Sequence, residues 1–276
     1  MNKDYVKENQ RILDELEQEY IKRREDVCLA ADGIMFRGPI VKGEIGHWIH
    51  EQSGTENELW SNCPIRILYL TKDQNGGKDN DDYWDLRGDA YHHPNSKVEE
   101  NILYSAGGSL NTNLVKSLYG LVTATPESMV EFKDIDKKEA VKISDTYPFA
   151  RINCKKVVGG PKCSNSILAN ALHQDRDFIS KQILNLDADI IVCCGNQQGK
   201  NLILDFLNDI GYNFQKPKEG NKAYDIWFDP HKNKIAIDAY HLGYYGYSRE
   251  SMYNDIVKTY HSFLQQHPDF IKSHRI

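Results

Sequence analysis

Three polar residues of different chemistry each close an apolar run in this chain: Asp73 after Ile67-Leu68-Tyr69-Leu70, Asn153 after Phe149-Ala150-Arg151-Ile152, and His241 after Ile235-Ala236-Ile237-Asp238-Ala239-Tyr240. A carboxylate can activate water, a carboxamide can read a donor–acceptor edge, and an imidazole can stabilise an anionic leaving group. Each residue also has a plain structural use. Asp73 can cap a turn, Asn153 can close a strand, and His241 can be a satisfied core histidine. The coincidence of three strand ends favours a site. The fullest of the three stretches runs from Pro64 to Gly77, where the apolar residues stop at an acid, the amides Gln74 and Asn75, and the pair Gly76-Gly77.

Those runs are short, rich in Ile, Leu and Val, and bounded by Pro or Gly, which predicts buried strands. Strands apolar on both faces belong to parallel sheets covered on both sides, and ligands there lie beyond the carboxyl ends of the strands. Ala188 to Asn196 is the strongest such signal. Helical periodicity appears between the runs: Ile12, Leu13, Leu16 and Tyr20 near the amino terminus, Leu110 to Val122, and a long helix carrying Ile167, Leu168, Ala171, Leu172, Phe178, Ile179 and Ile183. A helix with Leu202, Ile203, Phe206 and Ile210 ends at Gly211, and a last one starts at Ser248. Residues 27 to 62 are broken by glycines and read as irregular or short-stranded, and Glu127 to Ser144 as a charged periphery. Lys78 to Asp85 forms a polar, acidic loop, followed by Trp84, Arg87, Tyr91 and the pair His92-His93, which reads as a solvated loop rather than a metal site. The alternation of strands and helices predicts an α/β fold with a mainly parallel sheet. The division is an amino-terminal helical and irregular extension over 1–59 and one α/β domain over 60–276.

Composition narrows the function. The 276 residues are 40% hydrophobic and 27% charged, which excludes a disordered or fibrous chain. No apolar run approaches the ~20 residues of a membrane helix, and the polar start Met1-Asn2-Lys3-Asp4 reads as no signal peptide, so a cytoplasmic protein with no membrane partner is expected. The six cysteines contain no Cys-x-x-Cys pair, so no structural zinc or iron–sulfur site is expected and buried reduced thiols are. A net charge of −6 argues against broad non-specific nucleic-acid binding but leaves room for a local basic groove.

The order and spacing of these segments resemble the uracil-DNA glycosylase superfamily. Thr71-Lys72-Asp73-Gln74-Asn75 looks like a divergent form of its Gly-Gln-Asp-Pro-Tyr motif, with Asp73 at the water-activating acid. Arg151-Ile152-Asn153 is similar to the strand that ends in the base-reading asparagine. His241-Leu242-Gly243 falls where the family has His-Pro-Ser, and Gly243-Tyr244-Tyr245-Gly246 is similar to its later Gly-Phe-Phe-Gly. The likeness covers roughly residues 60 to 265, and Pro is absent after both Asp73 and His241.

The resemblance implies a three-layer α/β/α sandwich and a DNA glycosylase, acting as a monomer in repair or in antiviral defence against modified foreign DNA. The mechanism it implies needs no metal or organic cofactor: a nucleotide is flipped into the pocket. Asp73 and His241 are then the catalytic pair, Gln74, Asn75 and Asn153 line the base pocket, and Phe149 is the stacking platform. Tyr244 and Tyr245 enter the DNA, and Arg87, Lys155, Lys156 and Arg249 contact phosphates. Asn75 stands where the family has a tyrosine that crowds out 5-substituted bases, so the expected base is an enlarged pyrimidine. Two alternatives stay open: a nucleoside or nucleotide hydrolase using the same acid, and a non-catalytic DNA- or nucleotide-binding module of the same fold.

Overall fold

Runs that are apolar on both faces need cover on both sides, and the fold supplies it. The computed structural model describes residues 3–25, 27–43, 48–73, 84–91, 109–160, 162–216 and 225–271. In chain order its elements are α1 (Tyr5–Lys22), β1 (Ala30–Ala31), β2 (Gly33–Ile34), β3 (Ile40–Lys42), β4 (Trp48–His50), α2 (Glu56–Asn62), β5 (Ile67–Thr71), β6 (Trp84–Asp85), α3 (Ser109–Thr123), α4 (Lys137–Thr146), β7 (Phe149–Asn153), α5 (Asn165–Gln174), α6 (Arg176–Leu186), β8 (Ile190–Asn196), α7 (Leu202–Asp209), β9 (Ile226–Asp229), β10 (Lys234–Tyr240) and α8 (Arg249–Gln266).

Six strands form the central sheet in the order β2-β7-β5-β8-β10-β9. The inner four, β7, β5, β8 and β10, are parallel, and the edge strands β2 and β9 are antiparallel to their neighbours. Every residue of β5, β7 and β8 is buried. Side chains alternate across the sheet. Tyr69, Phe149, Val192 and Ile237 join one apolar core with residues of α3, α4 and α8, while Leu68, Ala150, Ile191 and Ala236 join a second with residues of α1, α5, α6 and α7. The chain is therefore a mixed α/β protein with helices on both faces of a mostly parallel sheet.

The connection from β5 to β7 passes through α3 and α4 on one face, and that from β7 to β8 passes through α5 and α6 on the other. The chain thus reverses its direction across the sheet around β5, the arrangement that opens a crevice beyond the carboxyl ends.

Local chemistry accounts for the helix ends. The Asp4 carboxylate accepts the Lys7 N–H at 3.0 Å at the start of α1, and the Ser248 hydroxyl accepts the Ser251 N–H at 3.0 Å at the start of α8. Three expectations change. The long helix over Ile167 to Ile183 is two helices, because the chain turns at buried Asp175, whose carboxylate accepts the Tyr20 hydroxyl at 2.9 Å. The segment 27–62, expected to be irregular or short-stranded, holds the short strands β1 to β4 and in addition α2, whose Trp60 is fully buried and donates to the Leu186 carbonyl at 3.1 Å. The amino-terminal segment is also not an appendage: β2 is an edge strand of the sheet, and Ile12, Leu16 and Tyr20 of α1 are buried.

Candidate active site

Register fixes which polar residues share an edge. Thr71 pairs with Asn153, and Asn196 at the end of β8 pairs with Tyr240, so all four inner strands finish on one side of the sheet. The ladder between β5 and β7 continues past the strands, with the Cys154 N–H on the Thr71 carbonyl and the Lys155 N–H on the Lys72 carbonyl, both at 2.8 Å. Asp73, Asn153 and His241 therefore lie at the same rim, as the sequence predicts.

The Asp73 side chain is 13% exposed, with the Lys155 ammonium 3.9 Å from Oδ2. Burial pushes its carboxyl above the ordinary carboxylate range, and the charges of Lys155 and Lys72 oppose that shift. A half-desolvated carboxylate with cations close but not in bidentate contact is a stronger base than one exposed to water. Gly159 keeps the space open: a Cβ there would stand 3.3 Å from Asp73 Oδ2. Lys155 also donates to the Val157 carbonyl. Lys72 is buried, its ammonium lies 3.5 Å from Gln197 Oε1, and its pKa is lowered by burial. Cys163 shares this environment, but burial and the Asp73 charge push its thiol up to about 11, so it is protonated at neutral pH and no nucleophile.

Asn153 is fully buried. Its backbone N–H donates to Asp32 Oδ2 at 2.8 Å, and its side-chain oxygen accepts the Thr71 hydroxyl. Its side-chain Nδ2 has no hydrogen-bond partner among the described residues. Such a buried donor costs on the order of 1–3 kcal/mol until something accepts from it. Asn196, at the neighbouring strand end, differs: its Nδ2 is committed to Asp238 at 3.0 Å to both oxygens.

His241 follows β10. The Gly243 N–H donates to its Nδ1 at 3.2 Å, which leaves the ring hydrogen on Nε2 when the imidazole is neutral. Burial, then the charges of Arg151 and Lys72, lower its pKa from 6.5 to about 4. At neutral pH it is an uncharged donor, suited to an anion that develops during reaction. Arg151 of β7 and Lys72 beyond β5 are the charges that act on it.

Other predicted site residues fall elsewhere. Phe149 is at the amino end of β7, four residues from Asn153 and about 13 Å away along the strand, fully buried against Tyr69 and Tyr91 with ring centroids at 6.1 Å and the Arg37 guanidinium 4.8 Å from its centroid. It is a core residue and offers no stacking face at the rim. Lys156 points inward, its ammonium 2.8 Å from both oxygens of Asp32, with both side chains at 0% exposure. Arg87 is buried, with two guanidinium nitrogens on Asp85 at 2.8 and 2.6 Å and a third 2.8 Å from Gln10 Oε1. Neither is placed to meet a phosphate. Tyr244 and Tyr245 are exposed beside His241, and Arg249 opens α8. Gln74, Asn75 and the pair His92-His93 lie outside the described residues.

Sequence reading missed Lys72, Arg151 and Asp32. Strand alternation puts Arg151 on the same face as Asn153, and its guanidinium is buried 3.2 Å from Asp89 Oδ2. An arginine inside an apolar run was the available signal. Among the described residues no three His, Cys, Asp or Glu side chains converge in a way that could hold a metal ion, and no helix is long and apolar enough to cross a membrane.

No family model, curated protein or solved structure matches this chain.

Proposed function

We propose that this protein is a DNA glycosylase of the uracil-DNA glycosylase type, hydrolysing the N-glycosidic bond of a flipped-out, enlarged pyrimidine. The observation that carries the reading is the chemistry of the rim: a carboxamide with an unmet donor, a desolvated carboxylate held near two lysines, and a neutral imidazole with its hydrogen on Nε2. Each is costly to leave as it stands and each suits one part of a nucleobase leaving reaction.

In this mechanism Asn153 Nδ2 donates to an acceptor on the base edge. Asp73 orients a water against the anomeric carbon and offsets the positive charge that develops on the sugar as the base departs. The carbon–nitrogen bond breaks with its electron pair going to the base, which leaves as an anion accepting from His241 Nε2. The new carbon–oxygen bond forms to water, whose proton passes to Asp73. The Nε2–H of neutral His241 donates a hydrogen bond that strengthens as negative charge develops on the departing base, so it favours the transition state over the bound substrate. The preference for an enlarged pyrimidine rests on Asn75 replacing the crowding tyrosine of the resemblance.

The test is excision from matched duplexes carrying uracil or a bulky 5-modified cytosine, with abasic sites read by alkaline cleavage. Faster excision of the modified cytosine is expected. Preference for uracil removes the enlarged pocket, and no abasic sites on any substrate removes the glycosylase.

A further inference from the structure

Three lysines are buried among the described residues, and two of them are answered in the way a buried ammonium requires. Lys156 lies 2.8 Å from both oxygens of Asp32. Lys234 lies 2.9 Å from Asp187 Oδ1 and donates to the Ala188 carbonyl at 2.8 Å. Lys72 differs. It is 8% exposed, it forms no ion pair with any described residue, and its described hydrogen bond is a long one, 3.5 Å to Gln197 Oε1.

That side chain is placed from both ends. The Lys72 carbonyl accepts the Lys155 N–H at 2.8 Å, which holds the backbone one residue past β5. Gln197 is exposed and begins a turn closed by two hydrogen bonds with Lys200, at 2.9 and 3.2 Å. The ammonium therefore ends at the carboxyl edge of the sheet, between the segments that follow β5 and β8, rather than in the core. Its neighbour in the chain is Asp73, the base of the proposed reaction, and the Lys72 charge acts on Asp73, Cys163 and His241 alike. The other amine at this edge is already engaged: Lys155 lies 3.9 Å from Asp73 Oδ2 and donates to the Val157 carbonyl. An enclosed amine short of partners is drawn to its neutral form, and burial lowers the Lys72 pKa against the opposing effects of Cys163 and Asp73. A neutral lysine amine is a nucleophile for a carbonyl carbon.

We propose that Lys72 forms an imine with the aldehyde of an abasic deoxyribose, so that the same crevice cuts the DNA strand at the site from which the base has gone. The proposal deepens the glycosylase reading and rests on it for the identity of the sugar. Hydrolysis of the base leaves a hemiacetal that opens to an aldehyde at the anomeric carbon. The Lys72 nitrogen bonds to that carbon and the carbonyl oxygen leaves as water, giving an iminium. Asp73, returned to its carboxylate by loss of a proton to solvent, takes a proton from the adjacent carbon. The electron pair left behind forms a carbon–carbon double bond to the next carbon, and the 3′ phosphate departs with the electrons of its own bond. Water then hydrolyses the iminium and frees the amine and an unsaturated aldehyde. The sequence needs no oxidant or reductant.

The experiment incubates the full chain with an oligonucleotide carrying one preformed abasic site, with sodium cyanoborohydride to reduce any imine to a stable amine. A covalent protein–DNA adduct that peptide mass spectrometry maps to Lys72 is expected, together with a nicked strand when the reductant is omitted. Lys72→Met, which keeps the buried stem, and Lys72→Arg, which keeps the charge, lose both adduct and nick while calorimetry shows them folded. Mapping on the wild type decides the matter even where a variant fails to fold. No adduct from the wild type, an adduct mapped to another lysine, or undiminished adduct in either variant overturns the proposal. An adduct at Lys72 in a protein that releases no base from any substrate upholds the amine and overturns only the glycosylase reading, whereas base release without an adduct overturns the amine alone.

Discussion

Two buried carboxylates, one below the sheet edge and one at it, are treated in opposite ways. Asp32 is completely enclosed and completely answered: Lys156 lies 2.8 Å from both oxygens, Gln182 donates at 3.1 Å and the Asn153 backbone at 2.8 Å. Its own carbonyl accepts from Asn9 of α1 at 2.7 Å. Among the described residues Asp73 has a single ammonium at 3.9 Å, and burial has already pushed its proton affinity up. The Asp32 charge is surrounded by partners in the folded state; on the proposed function the Asp73 charge is left short of them because it acts on substrate. Asn153 links the two, its backbone held by Asp32 and its side-chain donor left unmet.

The strongest way to break the comparison is Asp32→Ala. It leaves the Lys156 ammonium buried without its counter-charge, and a loss of about 3–5 kcal/mol is expected in a denaturant titration. The paired change Asp32→Leu with Lys156→Met should recover most of it, since it removes both charges. Asp73→Asn should behave in reverse. Base release falls by about 10²–10⁴-fold, while the thermal midpoint in calorimetry stays level or rises. The sign follows from the direction of the shift: a carboxyl whose folded pKa lies above its ordinary 3.8 costs stability once pH exceeds that ordinary value, and the amide lifts the cost.

Smaller effects sharpen the picture. His241 is held neutral down to about 4, below its ordinary 6.5, so the unfolded chain takes up its proton first as pH falls. Stability should decline from about pH 6.5 to about 4 in urea titrations, and His241→Gln should decline less over that window. Lys155→Met removes the larger of the two charges that oppose the rise of the Asp73 pKa, so the acid limb of the base-release profile should move to higher pH.

The apolar strands announced themselves because each is buried on both faces, and Asp73, Asn153 and His241 were legible as the polar residues at which those runs stop. The ends of a strand are also legible, and Phe149 shows the lesson: it opens the run that Asn153 closes, so the two cannot line one rim. The partners of charges were less accessible. Lys155 and Lys156 are neighbours of identical type, yet one turns to Asp73 and the other inward to Asp32, which is 124 positions away in the chain. Arg87 was more readable, because its partner Asp85 is only two residues before it. The break at Asp175 escaped because the apolar stripe continues across it and only contact with Tyr20 of α1 selects the turn.

The most direct measurement is base release under single turnover in heavy-oxygen water, with oligonucleotides carrying a bulky 5-modified cytosine and mass spectrometry of both products. Free base together with heavy oxygen at the anomeric carbon of the sugar is expected from the wild type, and neither at a comparable rate from Asp73→Asn. Absence of free base, or heavy oxygen found on phosphate or on the base instead, contradicts water attack at the glycosidic carbon and with it the role assigned to this sheet edge.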